Sequence, residues 1–185
     1  MIKKFAIVLV AIFVFGCKNE NQSNETEKLN EIAKFSPKVE ENAVIYEVNI
    51  RQYSPEGTFN AFTKDIPQLK ELGVKIIWVM PIFPISQTKR KATGGDNSKF
   101  ASEMPKEEQH KYLGSYYAVS DFKKVNPEFG TIEDFRNLVE TAHDNGMYVI
   151  LDWVPNHTGW DHTWIKQHPE YYTQNAKGEI IDPIN

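Results

Sequence analysis

Cysteine is nearly absent: Cys17 is the only one in 185 residues. A single thiol excludes an intramolecular disulfide framework and the multi-thiolate zinc sites of small metal-stapled domains. Long apolar runs are equally scarce. The N-terminal one, from Phe5 to Gly16, falls well short of the ~20 residues needed to cross a bilayer as a helix. No surplus of positive charge exists either, since 21 basic and 25 acidic side chains leave a formal charge of −4, and nothing in that balance points to nucleic acid. What remains is an ordinary apolar fraction of 41% in a chain long enough to bury one domain core.

Lys3 and Lys4 precede the Phe5–Gly16 run, which is the pattern of an export signal. Its end, Val14-Phe15-Gly16-Cys17, resembles the bacterial lipoprotein cleavage site, in which a small residue precedes a cysteine that is lipidated and becomes the mature N-terminus. Phe15 is bulkier than that pattern usually carries, and a simple secretory peptide with an incidental cysteine is the alternative. The expectation is a signal peptide over 1–16, lipidation at Cys17 and a flexible tether over 17–40, where the sequence turns polar and rich in Asn and Glu.

The folded part opens with AVIYEVNI, whose β-rich stretch from Val44 to Ile50 predicts a first strand before a turn at SPEG. Phe62, Ile66, Leu69 and Leu72 then recur at helical spacing from Asn60, Gly73 supplies a stop, and Pro67 disturbs the first turns. VKIIWVMPIFP is almost wholly apolar, which suits a parallel strand buried on both faces. From Ser86 to Lys111 a polar segment carries TKRK and GGDN, and such a charge run predicts a solvated loop without a binding role. TIEDFRNLVETAHDNG predicts a helix capped by Thr131 and Asp134, with Ile132, Phe135, Leu138, Val139 and Ala142 on one face and Gly146 at its end. Met147 to Val154 is the third strand. Strands alternating with helices and no tight hairpin predict an α/β domain with right-handed parallel crossovers. Three strands do not close a barrel, which needs about 250 residues, so the domain is either a small open sheet or the front of something larger.

Ligands of such sheets bind in loops at the carboxyl ends of the strands, where DWVPNHTGWDH concentrates its polar groups. Asp152 is the one charge in its strand and needs hydrogen-bond partners; on spacing alone, a structural role in fixing the turn is favoured over catalysis. His157 can donate to a ligand hydroxyl. A zinc site built from His157, His162, His168 and a carboxylate matches no compact spacing and is disfavoured. Asn156 offers an amide oxygen, which suits calcium better. Tyr116, Tyr117, Trp160, Trp164, Tyr171 and Tyr172 fall in predicted loops. Flat rings beside hydroxyl-binding groups suit a sugar, although Trp164, Tyr171 and Tyr172 can equally be covers for the sheet end.

Three segments, YEVNIRQYSPEGTFNAFTKDIPQLKELGVKIIWVMPIFP, GSYYAVSDFKKVNPEFGT and GMYVILDWVPNHT, together resemble the α-amylase superfamily, glycoside hydrolase family 13, in order and spacing from about Tyr46 to Thr158. The resemblance implies the first strands and helices of a (β/α)8 TIM barrel over 41–154, with 155–185 starting the insertion after strand 3. It implies that Tyr117 stacks on a sugar, that His157 hydrogen-bonds that sugar's 6-hydroxyl, and that Asp152 organises the site without being the nucleophile. Asn156 matches a calcium ligand of calcium-dependent members. Ala118 stands where many exo-acting members carry aspartate, which implies endo action. The implied reaction is retaining hydrolysis of α-glucans such as starch or maltodextrin by two carboxylates.

The motif blocks that carry those carboxylates are absent from the sequence. Asp161, Glu170, Glu179 and Asp182 lie outside the required context. The expectation is an N-terminal fragment, inactive alone, whose catalytic residues lie downstream of Asn185. A non-catalytic α-glucan-binding lipoprotein and a small complete α/β module are the competing readings. DWVPNHTGWDHTW is most similar to extracellular or envelope amylases of Gram-negative bacteria, so the resemblance implies an exported chain, anchored to the membrane by its lipid.

Overall fold

The computed structural model describes residues 41–94 and 99–182; the expected signal peptide, Cys17 and the tether over 17–40 lie outside them. Strand β1 (Val44–Val48) is built from β-branched and aromatic residues and stops short of the predicted Ile50. Ile50 instead opens the single turn α1 (Ile50–Tyr53), where its side chain enters the core. The turn after it needs Gly57: at φ +61°, a Cβ would sit 3.0 Å from the Arg51 carbonyl oxygen.

The predicted helix from Asn60 to Leu72 is two helices, α2 (Phe59–Thr63) and α3 (Ile66–Glu71). Pro67 is the reason. It has no N–H to donate to the carbonyl four residues back, so the chain breaks before it and reuses the proline in the first turn of α3, where no donor is needed. Thr58 Oγ1 caps α2 by accepting from the Ala61 amide at 3.3 Å. Phe59, Phe62, Ile66 and Leu69 are buried, whereas Leu72 is 74% exposed and belongs to no core face. Tyr53 edges onto Phe62 at 4.8 Å and donates to Asp65 at 2.8 Å. Burial, followed by the Asp65 carboxylate, pushes the Tyr53 phenol up to about 12.

Strand β2 (Val74–Val79) lies between β1 and β3 (Tyr148–Leu151), and both pairings are parallel. The register sets Val48 beside Val79 and Val79 beside Leu151, and one row over Glu47 beside Trp78 and Trp78 beside Ile150. The first row faces the helices. On the other face Val74 and Ile76 are buried while Trp78 is 37% and Ile150 40% exposed, so β2 has buried side chains on both faces, as its composition suggests, and the second face opens only toward its carboxyl end. In a (β/α)8 barrel that second face is the interior, packed by side chains of all eight strands. β3 ends at Leu151, three residues before the predicted end, although the Asp152 amide still donates to the Val79 carbonyl at 2.9 Å.

Helix α4 (Ile132–Asp144) connects β2 to β3 and packs on α2 and β3. Its N-terminus is the predicted capping box: Thr131 Oγ1 accepts from the Asp134 amide at 3.2 Å, and Asp134 Oδ2 accepts from the Thr131 amide at 2.7 Å. Leu138 and Ala142 are fully buried and Phe135 and Val139 pack against the core, but Ile132 is 52% exposed because the first turn overhangs the sheet. Leu138 therefore anchors the crossover. Leu138→Ala should lower unfolding free energy by about 2–5 kcal/mol, whereas Leu72→Ala should stay within about 0.5 kcal/mol; urea titration followed by circular dichroism checks both.

Candidate functional site

Polar groups collect at the carboxyl ends of β2 and β3. Three segments meet there. After β2 the chain runs through Pro84–Ser86, which pairs with Ala118–Ser120: the Ser86 amide donates to the Ala118 carbonyl at 2.7 Å, the Ser120 amide to the Pro84 carbonyl at 2.9 Å, and Ile85 bridges Val119. Gly159 then packs onto both, its amide donating to the Val119 carbonyl at 2.7 Å.

This arrangement joins the predicted site residues. Tyr117 Oη donates to Asp152 Oδ2 at 2.8 Å across 35 positions of sequence. That hydrogen bond, with burial second, raises the Tyr117 phenol above its ordinary value. Asp152 thus receives a phenol hydroxyl, a partner that spacing could not reveal. His157 shares with Tyr117 a cavity of about 360 Å³, also lined by Ser86, Ala118, Thr158 and Trp160. Its exposed ring hydrogen-bonds Asn156 Oδ1 through Nδ1 at 2.6 Å, which makes Nδ1 the donor and leaves Nε2 as the acceptor in the neutral ring.

A second cavity of about 350 Å³ adjoins the first through His157, Thr158 and Trp160, and its walls include Trp164, Tyr171 and Tyr172. Trp164 opens the short helix α5 (Trp164–Gln167) and Tyr171 closes a 3-10 turn (Pro169–Tyr171), so neither sits in the open loop predicted for it. Both line the cavity while packing edge-on, with ring centroids 6.2 Å apart. Lys89, Arg90 and Lys91 also line the first cavity, Lys89 and Lys91 being exposed as the solvated-loop reading of the charge run expects. Their lining position depends on the pairing of Ile85 with Val119, which leaves no periodic signal.

The three histidines separate. His162 is 4% exposed, surrounded by Phe122 and Trp164, and its Nδ1 accepts from the Trp164 amide at 3.1 Å. His168 stacks on Tyr171 and pairs with Glu170. Among the described residues no three His, Cys, Asp or Glu side chains converge on a metal-sized point. Calcium takes six to eight oxygens. Here Asn156 Oδ1 is already engaged by His157, and Asp182 is the one carboxylate lining the same cavity, so the described residues fall short of a calcium set. Of the remaining acidic groups, Asp161 Oδ2 accepts from the Gln87 and Thr88 amides at 2.7 and 3.2 Å, and Glu179 is held by Asn175.

A parallel α/β sheet with an aromatic-walled cavity at the carboxyl ends of its strands defines an α/β protein of the barrel class with its candidate ligand site in the strand-end loops. Residues 17–179 match the alpha-amylase catalytic domain, and the chain belongs to that family. It is 30% identical over 145 residues to alpha-amylase 3 of Dictyoglomus thermophilum, covering 76% of this chain and 24% of that protein. An alpha-1,4-glucan:maltose-1-phosphate maltosyltransferase of Myxococcus xanthus is 33% identical over 143 residues, covering 73% of this chain and 20% of the relative. Among solved structures, an alpha-amylase from Lactobacillus plantarum superimposes with a TM-score of 0.64 at 37% identity, over 77% of this chain and 29% of that one. The chain thus spans about a quarter of the length of these relatives and forms part of a TIM barrel.

Burial lowers the pKa of His162, against the opposing pull of Asp121 and Asp161, so the folded chain holds it neutral. Its contribution is present above the ordinary value of about 6.5 and is lost as pH falls through the depressed folded value. Thermal melts should therefore show stability declining below about pH 6.5, with a shallower decline in His162→Asn.

Proposed function

We propose that this chain supplies the sugar-holding wall of an α-glucan-acting enzyme, with Tyr117 as the stacking ring, His157 as donor to a sugar hydroxyl and Asp152 as the group that orients Tyr117. The observation that carries this reading is the 2.8 Å bond from Tyr117 to Asp152 at the mouth of a cavity that also holds His157 and Trp160. A phenol locked by a carboxylate keeps its ring plane fixed, and a fixed ring costs less ordering when a pyranose packs on it. Donation from His157 to a ligand requires Nε2 to carry the proton. The Asn156 contact is then given up as the tautomer changes.

Retaining hydrolysis needs a nucleophilic carboxylate and an acid/base carboxyl about 5–5.5 Å apart. Asp161, Glu170 and Glu179 are engaged in loop contacts, and Asp182 is the one carboxylate among the described residues that lines the cavities, so the pair this reaction needs is not assembled from these four. The 185-residue chain is proposed to bind maltooligosaccharide without cleaving it. A second reading on the same contacts is a non-catalytic α-glucan-binding protein, its lipidation resting on the N-terminal sequence alone. Calcium enters either reading only through Asn156, as one oxygen of a set the described residues do not complete.

Titration calorimetry with maltoheptaose should give saturable binding that His157→Ala weakens about 3- to 10-fold, the worth of one hydrogen bond. Tyr117→Ala should weaken it more, and no reducing ends should appear on starch. Absence of binding, or starch cleavage by the purified chain, would overturn the reading.

Export and anchoring are proposed on the N-terminal sequence alone, with lipid on Cys17. Among the described residues no helix is long and apolar enough to cross a membrane. Labelled palmitate fed to a Gram-negative host should enter the wild-type chain and not Cys17→Ser; label in neither would leave a secretory peptide.

A further inference from the structure

The sugar cavity has an electrostatic character that the α-glucan reading does not use. Among the described residues Lys89, Arg90 and Lys91 all line it, against the single carboxylate of Asp182. Among the described residues none of the three is in an ion pair, although five such pairs form elsewhere. Lys89 Nζ instead lies 3.5 Å from the centre of the Trp160 ring, on the cavity wall. Arg90 donates to the Gln109 carbonyl at 3.3 Å, and its buried Nε has no hydrogen-bond partner among the described residues.

The turn that presents these residues is held from both sides. Asp161 Oδ2 accepts from the amides of Gln87 and Thr88, just before Lys89, and the Arg90 carbonyl accepts from the Ala101 amide at 2.6 Å. Between these anchors Lys89 has φ +51°, a left-handed conformation uncommon for a residue with a side chain. Gly114 leaves the space that the Arg90 stem occupies: a Cβ there would come within 2.8 Å of Arg90 Cγ. A turn fixed in this way has little backbone freedom left to lose when an anion arrives.

We infer that the cavity takes an α-glucoside carrying a phosphate monoester, with the sugar against Tyr117 and His157 and the phosphate among Lys89, Arg90 and Lys91. This rests on the α-glucan reading above and narrows it. A phosphate monoester brings a charge of about −1.5 to −2 at neutral pH and three acceptor oxygens. Two flexible ammonium groups and a guanidinium match those acceptors, and a partly enclosed site screens them less than open solvent does.

Calorimetry on the 185-residue chain with maltose, maltose bearing a phosphate monoester and inorganic phosphate tests the inference. The expected result is that the ester binds about tenfold or more tightly than either maltose or phosphate alone. That advantage should shrink several-fold between about 0.05 and 0.5 M salt, and it should collapse toward unity in Lys89→Gln/Lys91→Gln. Equal binding of ester and maltose would overturn the inference and leave the α-glucan reading standing. Binding of phosphate alone as tight as the ester would overturn it as a general anion site. Failure of both sugars to bind would overturn both readings. The salt series on the unaltered chain decides the matter if the double variant does not fold.

Discussion

Gly159 lies so close to Ser86 that a Cβ on the glycine would stand 2.3 Å from the serine Cβ, while its amide holds the Val119 carbonyl at 2.7 Å. Three segments more than thirty residues apart in sequence are clasped at this point: the exit of β2, the stretch around Tyr117 and Ala118, and the chain that leaves β3. Every proposed contact to a ligand hangs from one of them. A side chain at 159 would part the clasp by more than the cavity's hydrogen bonds tolerate, since an added carbon in a packed site typically costs about 1–3 kcal/mol. Tyr117 reaches Asp152 and His157 faces the same cavity because the backbone at this junction approaches within van der Waals contact.

Beneath the clasp, the sheet supplies direction. Parallel strands send all three carboxyl ends the same way, and the ladder continues one step beyond β3 through the Asp152 amide, so the carboxylate is aimed by the backbone before any side chain meets it. The helices load only one face. Val48, Ile77, Val79 and Leu138 form the buried layer, and the opposite row of Glu47, Trp78 and Ile150 stays open. A row left open, with Trp78 and Ile150 exposed beside Glu47, is what three strands of a barrel present when the remaining strands are not beside them, and it accords with a chain that spans about a quarter of its relatives' length.

Local signals in the sequence were reliable where the interaction is local. The capping box at Thr131 and Asp134, the stop at Gly146, and the order of strand and helix are short-range matters of hydrogen bonding and periodicity, and the structure shows each of them. Periodicity misled at element ends. Leu72 and Ile132 continue an apolar stripe but extend past the neighbouring element, so nothing covers them. Pro67 was legible as a disturbance, yet the place where the helix divides depended on Phe62 and Ile66 both entering one core. The histidine cluster shows the converse, since proximity in sequence sent three imidazoles to three environments.

By itself the sequence determined the α/β order, the family and the residue types at the strand ends, because composition, caps and motif blocks act over a few positions or through their order along the chain. It named Tyr117, Asp152, Asn156 and His157 without being able to join them. Only the tertiary structure decided that Tyr117 bonds Asp152, that His157 turns to Asn156, that His162 is buried, and that the solvated basic stretch also lines the cavity at the strand ends. The physical reason is that, apart from the adjacent His157–Asn156 pair, these are contacts between distant segments, such as the 35 positions from Tyr117 to Asp152 and the 74 from Gln87 to Asp161, created by close backbone packing and not by any repeat that a linear pattern can carry.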